Sequence, residues 1–211
     1  MTAKGKFVVL RRVRGGDEDL VATLYGTAGK VTLFVKEGYL PGSRFFGTFE
    51  PFNLVELYYR QSGNLLLPED LLSVERLSYL ASGYERFSFM SRLARFTLSR
   101  VSFYDEQFFN LLTNYLKAPP SEGLYLRFIL EFLKLSGITP KFLSERKVSA
   151  KAVSLKDGSP SEEGFKVSPS VLNYLIKLYR SKRPERLRLP PSALKKAEEF
   201  LNAYMDYHQI K

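Results

Sequence analysis

Residues 20–36 read LVATLYGTAGKVTLFVK, and the fold turns on how they divide. Val31, Leu33 and Val35 alternate with Thr32, Phe34 and Lys36, the period-two pattern of a half-buried strand. Ahead of them, Leu20 to Tyr25 is a second strand-like run, ended by the turn Gly26 to Gly29. The same reading extends outward. Lys6 to Val13 is apolar and β-branched and stops at Gly15-Gly16-Asp17. The opening segment, Met1 to Val13, has no small-residue cleavage site and reads as a first strand rather than a signal peptide. Downstream, Gly38 to Gly42 with Pro41 is a loop, Ser43 to Phe49 is expected as a fourth strand, and Leu54 to Tyr59 as a fifth, closed by Gln61-Ser62-Gly63. Short strands with glycine turns and no intervening helix imply a small barrel or a sandwich.

After Pro68 the period changes. Glu69 to Tyr79 is expected as a short helix and Tyr84 to Phe103 as a longer one, with Phe87, Met90, Ala94, Leu98 and Val101 on its buried face. Gln107 to Leu116 is a further helix, stopped by Pro119-Pro120. Gly123 to Leu135 is apolar nearly all round and therefore central, with Gly137 at its end. Residues 142–168 lack periodicity and read as a surface insertion. Ser170 to Ser181 and Pro191 to Tyr207 complete the set, the last with Pro191 near its first position. The class is α+β, an all-β module followed by an all-α one.

A chain of 211 residues, 45% hydrophobic and 26% charged, is long and apolar enough for a sizeable core. No apolar run reaches the roughly 18 residues that span a bilayer. Thirty-two Lys and Arg against twenty-two Asp and Glu leave a charge of +10, which favours a polyanionic partner: nucleic acid first, then an acidic membrane surface or an acidic protein. Residues 1–75 hold nine basic and nine acidic side chains, so the whole excess belongs to the helical half.

Two clusters are denser than the rest. Lys4, Lys6, Arg11, Arg12 and Arg14 precede the first acid, Asp17. Lys177, Arg180, Lys182, Arg183, Arg186 and Arg188 surround the single acid Glu185, and Pro184 and Pro190 forbid one continuous helix there. That second cluster exceeds what the C-terminus of a helix needs and reads as an arm that contacts phosphate. Aromatic residues crowd the β module beside Lys36, Arg44 and Arg60. Tyr39, Phe45 and Tyr58 are the candidates for stacking on bases, with core packing the competing use for each.

Zero cysteines exclude disulfides, thiolate metal sites and cysteine nucleophiles, and a single histidine, His208, leaves little room for histidine acid–base chemistry. Asp17-Glu18-Asp19 reads as a solvated turn, since consecutive residues in a hairpin point different ways. No phosphate-loop, dinucleotide or hydrolase motif occurs. No cofactor, metal or catalytic residue is expected.

In order along the chain, Phe7-Val8-Val9-Leu10, Gly16-Asp17-Glu18-Asp19-Leu20-Val21, Thr27-Ala28-Gly29-Lys30, the basic glycine loop Lys36 to Arg44 and Glu50-Pro51-Phe52 resemble the RecO family of bacterial recombination mediators. In the helical half, Phe132-Leu133-x-Leu135-x-Gly137-Ile138-x-Pro140 and Ala203-Tyr204-Met205-Asp206-Tyr207-His208 are similar to that family too. Many members follow the Gly-x-x-Pro segment with four zinc-binding cysteines; here Ser144-Glu145-Arg146-Lys147 stands instead. The resemblance implies an OB-fold barrel over residues 1–75 and a helical domain over 76–211, with the insertion at about 142–168 in place of the zinc finger. It also implies DNA repair without catalysis. The activities would be binding of single- and double-stranded DNA, strand annealing and, with RecR, loading of RecA on strands coated by single-strand binding protein, whose C-terminal tail is a partner. A cytoplasmic, nucleoid-associated location is expected. The phosphate contacts expected from charge are Lys4, Lys6, Arg11, Arg12, Arg14, Lys30, Lys36, Arg44, Arg180, Lys182, Arg183, Arg186 and Arg188. The competing expectation is an adaptor whose basic helical surface docks acidic tails without binding DNA, and a nuclease built on Asp17, Glu18 and Asp19 is the remote one.

Overall fold

A computed structural model describes residues 2–210. Five strands, β1 (Thr2–Arg14), β2 (Leu20–Gly26), β3 (Gly29–Val35), β4 (Leu54–Ser62) and β5 (Leu65–Glu75), close into an OB-like barrel in the order β1-β2-β3-β5-β4. Neighbours pair antiparallel except β3 with β5, where Thr32 and Leu33 run parallel to Leu65 and Leu66. Inside lie Phe7, Val9, Leu20, Ala22, Leu24, Leu33, Val35, Val55, Leu57 and Leu66, joined by Phe45 and Phe49 from the loop after β3. The alternation in β3 is thus a barrel pattern.

A bulge between Val9 and Arg11 re-phases β1. Before it Phe7 and Val9 point inward; after it Arg12 and Arg14 stand opposite Ala22 and Leu20, both inward residues. Two arginines therefore sit over the end of an apolar interior. Val8 and Tyr25 pair across the strands on the opposite face and are buried.

Two elements differ from the sequence expectation. Ser43 to Phe49 is a run of turns rather than a strand. Phe46 donates to the Ser43 carbonyl and Thr48 to that of Phe45, so the backbone is satisfied locally rather than in a ladder. Glu69 to Glu75 continues β5 instead of forming a helix, and only Leu77–Ala81 is helical, as a 3-10 turn. Pro68 lies within that strand, at the register shift between Tyr58 and Tyr59 of β4, where a missing ladder N–H is tolerated.

The helices are α1 (Tyr84–Arg100), α2 (Glu106–Lys117), α3 (Glu122–Leu135), α4 (Pro169–Arg180) and α5 (Pro191–Tyr207). Asp105, Ser121 and Ser168 cap α2, α3 and α4 with side-chain oxygens. The buried side of α1 is Phe89, Met90, Leu93, Ala94, Phe96 and Thr97, rotated from the expected stripe, and Phe87 is 53% exposed. Nine buried residues make α3 the central helix. The chain forms two compact units, Met1–Ala118 and Pro119–Lys211; α1 and α2 therefore belong with the barrel, although strands give way to helices earlier.

Residues 142–168 are ordered without cysteine. A 3-10 turn at Lys141–Ser144 leads into a sheet of β6 (Ala152–Val153), β7 (Pro160–Ser161) and β8 (Phe165–Lys166). Lys141 and Phe142 donate their amides to the carbonyls of Asp157 and Gly158. Gly158 has φ +70°, and a Cβ there would stand 2.5 Å from Pro140 Cα, so only glycine fits this approach. Asn173 of α4 bonds both the amide and the carbonyl of Val148.

Candidate nucleic-acid interface

Within the barrel unit the predicted cations fall into three places. On the outer face of β1 and β4, Lys4 lies opposite Tyr58 and Lys6 opposite Glu56. Lys4 pairs with Glu56 at 2.9 Å; that hydrogen bond raises the lysine pKa and lowers that of the glutamate. Tyr58 is 39% exposed, and Lys6 and Arg11 are exposed. With Glu56, Glu69 and Asp70 nearby, this face carries little net positive charge.

The second place is the barrel mouth. The Arg12 and Arg14 guanidiniums each lie 5.3 Å from the centroid of Tyr39, and Arg12 pairs with Glu50 at 2.6 Å. Tyr39 itself packs on the barrel core. Its ring is engaged by arginine, and Phe45, at 6% exposure, is a core residue with no face for a base. Of the three stacking candidates, only Tyr58 presents an open side chain.

The third is a cleft of about 880 Å³ between the end of β3, the loop after it and the start of β5, floored by Phe34, Leu40, Pro41, Leu67 and Pro68. Lys36, 81% exposed, and Arg44 stand on its rim. Arg44 donates to the Glu69 carbonyl and lies 4.7 Å from the Phe45 ring. Lys30 serves otherwise: its ammonium donates to the Leu98 carbonyl at 2.7 Å, in the last turn of α1.

In the other unit the arm after α4 divides in the same way. Nη2 of Arg180 donates at 2.9 Å to each of the carbonyls of Leu143, Ser144 and Glu145, which makes this arginine a brace for the insertion. Arg188 makes a long contact, 3.4 Å, to the Glu185 carbonyl. Lys182, Arg183 and Arg186 are exposed, and their side chains have no partner among the described residues. Charge counting missed the residue that sets this arm. Arg127, on α3, donates to the carbonyls of Leu178 and Ser181 at 2.5 and 3.1 Å; its signal in the sequence is a cation in the middle of an apolar helix.

The chain matches Recombination protein O N terminal over residues 1–67 and Recombination protein O C terminal over residues 84–209. It belongs to the RecO family. A protein of Aquifex aeolicus described only as uncharacterized is 44% identical over 208 residues, covering 97% of this chain and 98% of its own. A DNA repair protein RecO of Anaeromyxobacter dehalogenans strain 2CP-1 is 35% identical over 149 residues, 66% of this chain and 58% of that protein. The chain thus spans little more than half the length of that RecO relative, and similarly 56% of the one from strain 2CP-C. RecO membership places the chain in DNA repair and recombination. Among the described residues no helix is long and apolar enough to cross a membrane, and no group of three or more His, Asp or Glu side chains could hold a metal ion.

Proposed function

We propose that this chain binds single- and double-stranded DNA directly and acts as a recombination mediator without turnover. In that role it promotes annealing of complementary strands and, with RecR, the loading of RecA on single strands coated by single-strand binding protein, whose C-terminal tail it contacts. It works in the cytoplasm on the nucleoid. The observation that carries the reading is the arm of residues 181–189, where Lys182, Arg183 and Arg186 are exposed without acidic partners. Cations left free of internal partners are the ones able to release counterions from a phosphate backbone. Lys36 and Arg44 on the barrel cleft, and Lys6 and Arg11 on β1, are the contacts assigned to the other unit.

The test is fluorescence anisotropy of a labelled single-stranded oligonucleotide titrated at several salt concentrations. Submicromolar affinity whose logarithm falls linearly with log salt, by about 0.7 for each phosphate contacted, is expected. Absence of binding at low salt, with tight binding of an acidic peptide instead, replaces the reading with that of an adaptor.

A further inference from the structure

Phe103 is 87% exposed, more than any other large apolar side chain among the described residues, and its backbone has little freedom to withdraw it. The Tyr25 hydroxyl, in a fully buried side chain, donates to the Phe103 carbonyl at 3.2 Å and accepts from the Asp105 amide at 3.1 Å. Lys30 donates its amide to the Ser102 carbonyl at 3.0 Å. Gly29, at φ +79°, brings the hairpin turn against the same loop; a Cβ there would lie 3.0 Å from the Ser102 oxygen and 3.8 Å from Phe103 Cα. The neighbouring Tyr104, 40% exposed, rests against Phe109 with ring centroids 6.0 Å apart. Phe103 is therefore a phenyl ring held out into water by a fixed loop.

A rigid exposed ring suits a ligand with a flat apolar face, because little ordering entropy is lost on contact. The charge around it selects the kind. Lys6 adjoins the same turn through its backbone, which bonds the Thr27 hydroxyl and amide, and its side chain is exposed, the carboxylate of Glu56 that faces it across β4 being paired with Lys4. The nearest acid in the chain, Asp105, is occupied in capping the amide of Phe108 at 2.7 Å. We propose that Phe103 is a stacking platform for a base of single-stranded DNA at this end of the barrel, with Lys6 on the adjoining phosphate. Single strands are specified because both faces of a base in duplex are already stacked. The proposal rests on the DNA-binding reading above.

The chain contains no tryptophan, so Phe103→Trp installs a single reporter at the site in the full protein. Its emission is expected to be quenched as an unlabelled oligothymidylate is added. Phe103→Ala, with an unchanged Tm, is expected to weaken single-strand binding about fivefold or more while duplex affinity stays within about twofold. Emission that does not move at saturation, or a Phe103→Ala variant that binds the single strand as the parent does, overturns the stacking role and leaves DNA binding in place. Emission that responds only to an added protein overturns it as well. If the unsubstituted chain binds no oligonucleotide, the DNA-binding reading itself falls and the stacking role with it.

Discussion

Arg127 reaches from the central helix to the carbonyl oxygen of Ser181, 3.1 Å away, and so ties down the residue that opens the basic arm. The same nitrogen holds the Leu178 carbonyl, Nε pairs with Glu131 at 2.6 Å, and the guanidinium lies 5.6 Å from the Tyr179 ring. A cation whose side chain is only 19% exposed is tolerated because an acid and two carbonyls answer it. The arm is thereby set before any ligand arrives, which lowers the ordering cost of binding.

Arg127→Met should leave two main-chain carbonyls and Glu131 without their donor. The expected loss is about 1–3 kcal/mol, or several degrees of Tm in a chain of this length. Trypsin should also cut faster at Lys182 and Arg186 at temperatures well below that transition, because the arm loses its anchor while the helices stand. Unchanged early cleavage would mean that the arm is fixed by other contacts.

Arg180 braces the carbonyls of Leu143, Ser144 and Glu145 in a segment without cysteine. Arg180→Lys keeps the charge, but an ammonium is a compact point charge without the planar fork of donors. The expected result is a lower Tm, with single-strand affinity at low salt retained within about twofold. The parent should melt at the same temperature with and without a chelator, and added zinc should not raise it. Zinc-dependent stabilisation would contradict a purely protein-built insertion.

Strands β1 to β4 and helices α1 to α5 were legible because their patterns are local: period two with glycine turns, or apolar residues at period 3.6. What escaped depended on distant partners. Pro68 looks like a strand breaker until β4 supplies the bulge opposite it, and Ser43 to Phe49 has strand composition but places Phe45 and Phe49 as plugs in the barrel. The site divides along the same line. Charge points to the arm, whose Lys182, Arg183 and Arg186 are exposed, but Arg12, Lys30 and Arg180 have the same composition and are taken by Glu50 and by main-chain carbonyls. Counting cations does not register carbonyl acceptors.

Asp157 offers a test through pH. Its carboxylate accepts from Lys141 at 2.9 Å and from the Ser159 hydroxyl and amide at 2.7 and 3.0 Å, and these bonds, Lys141 first, hold its pKa far below the ordinary aspartate range. A carboxyl depressed in the folded state stabilises fully above its unfolded pKa, and that contribution is lost as pH falls through the folded value. Asp157→Asn should therefore melt below the parent at neutral pH, with the gap narrowing from about pH 4 downward. The exposed ammonium of Lys141 makes the gap salt-sensitive. Thermal scans at neutral and acid pH check it; a gap that persists undiminished in acid would assign the effect to the shape of the side chain.

Free and engaged arginines should separate in the salt dependence of DNA binding. Reversing Arg183 and Arg186 to Glu removes two unpartnered cations, so binding should weaken on every sequence and the slope of log affinity against log salt should flatten by about 1.4 on single strands. Tm should hold, since neither side chain supports a neighbour. Arg12→Ala should do the opposite: it breaks the pair with Glu50 and the contact with Tyr39, lowering Tm while leaving the slope within error. If the double reversal changes neither affinity nor slope, the arm makes no phosphate contact, and the burden of DNA binding moves to Lys6, Arg11, Lys36 and Arg44 in the barrel unit. If Arg12→Ala flattens the slope at constant Tm, the mouth of the barrel is itself part of the DNA path, and the pair with Glu50 must open when DNA binds.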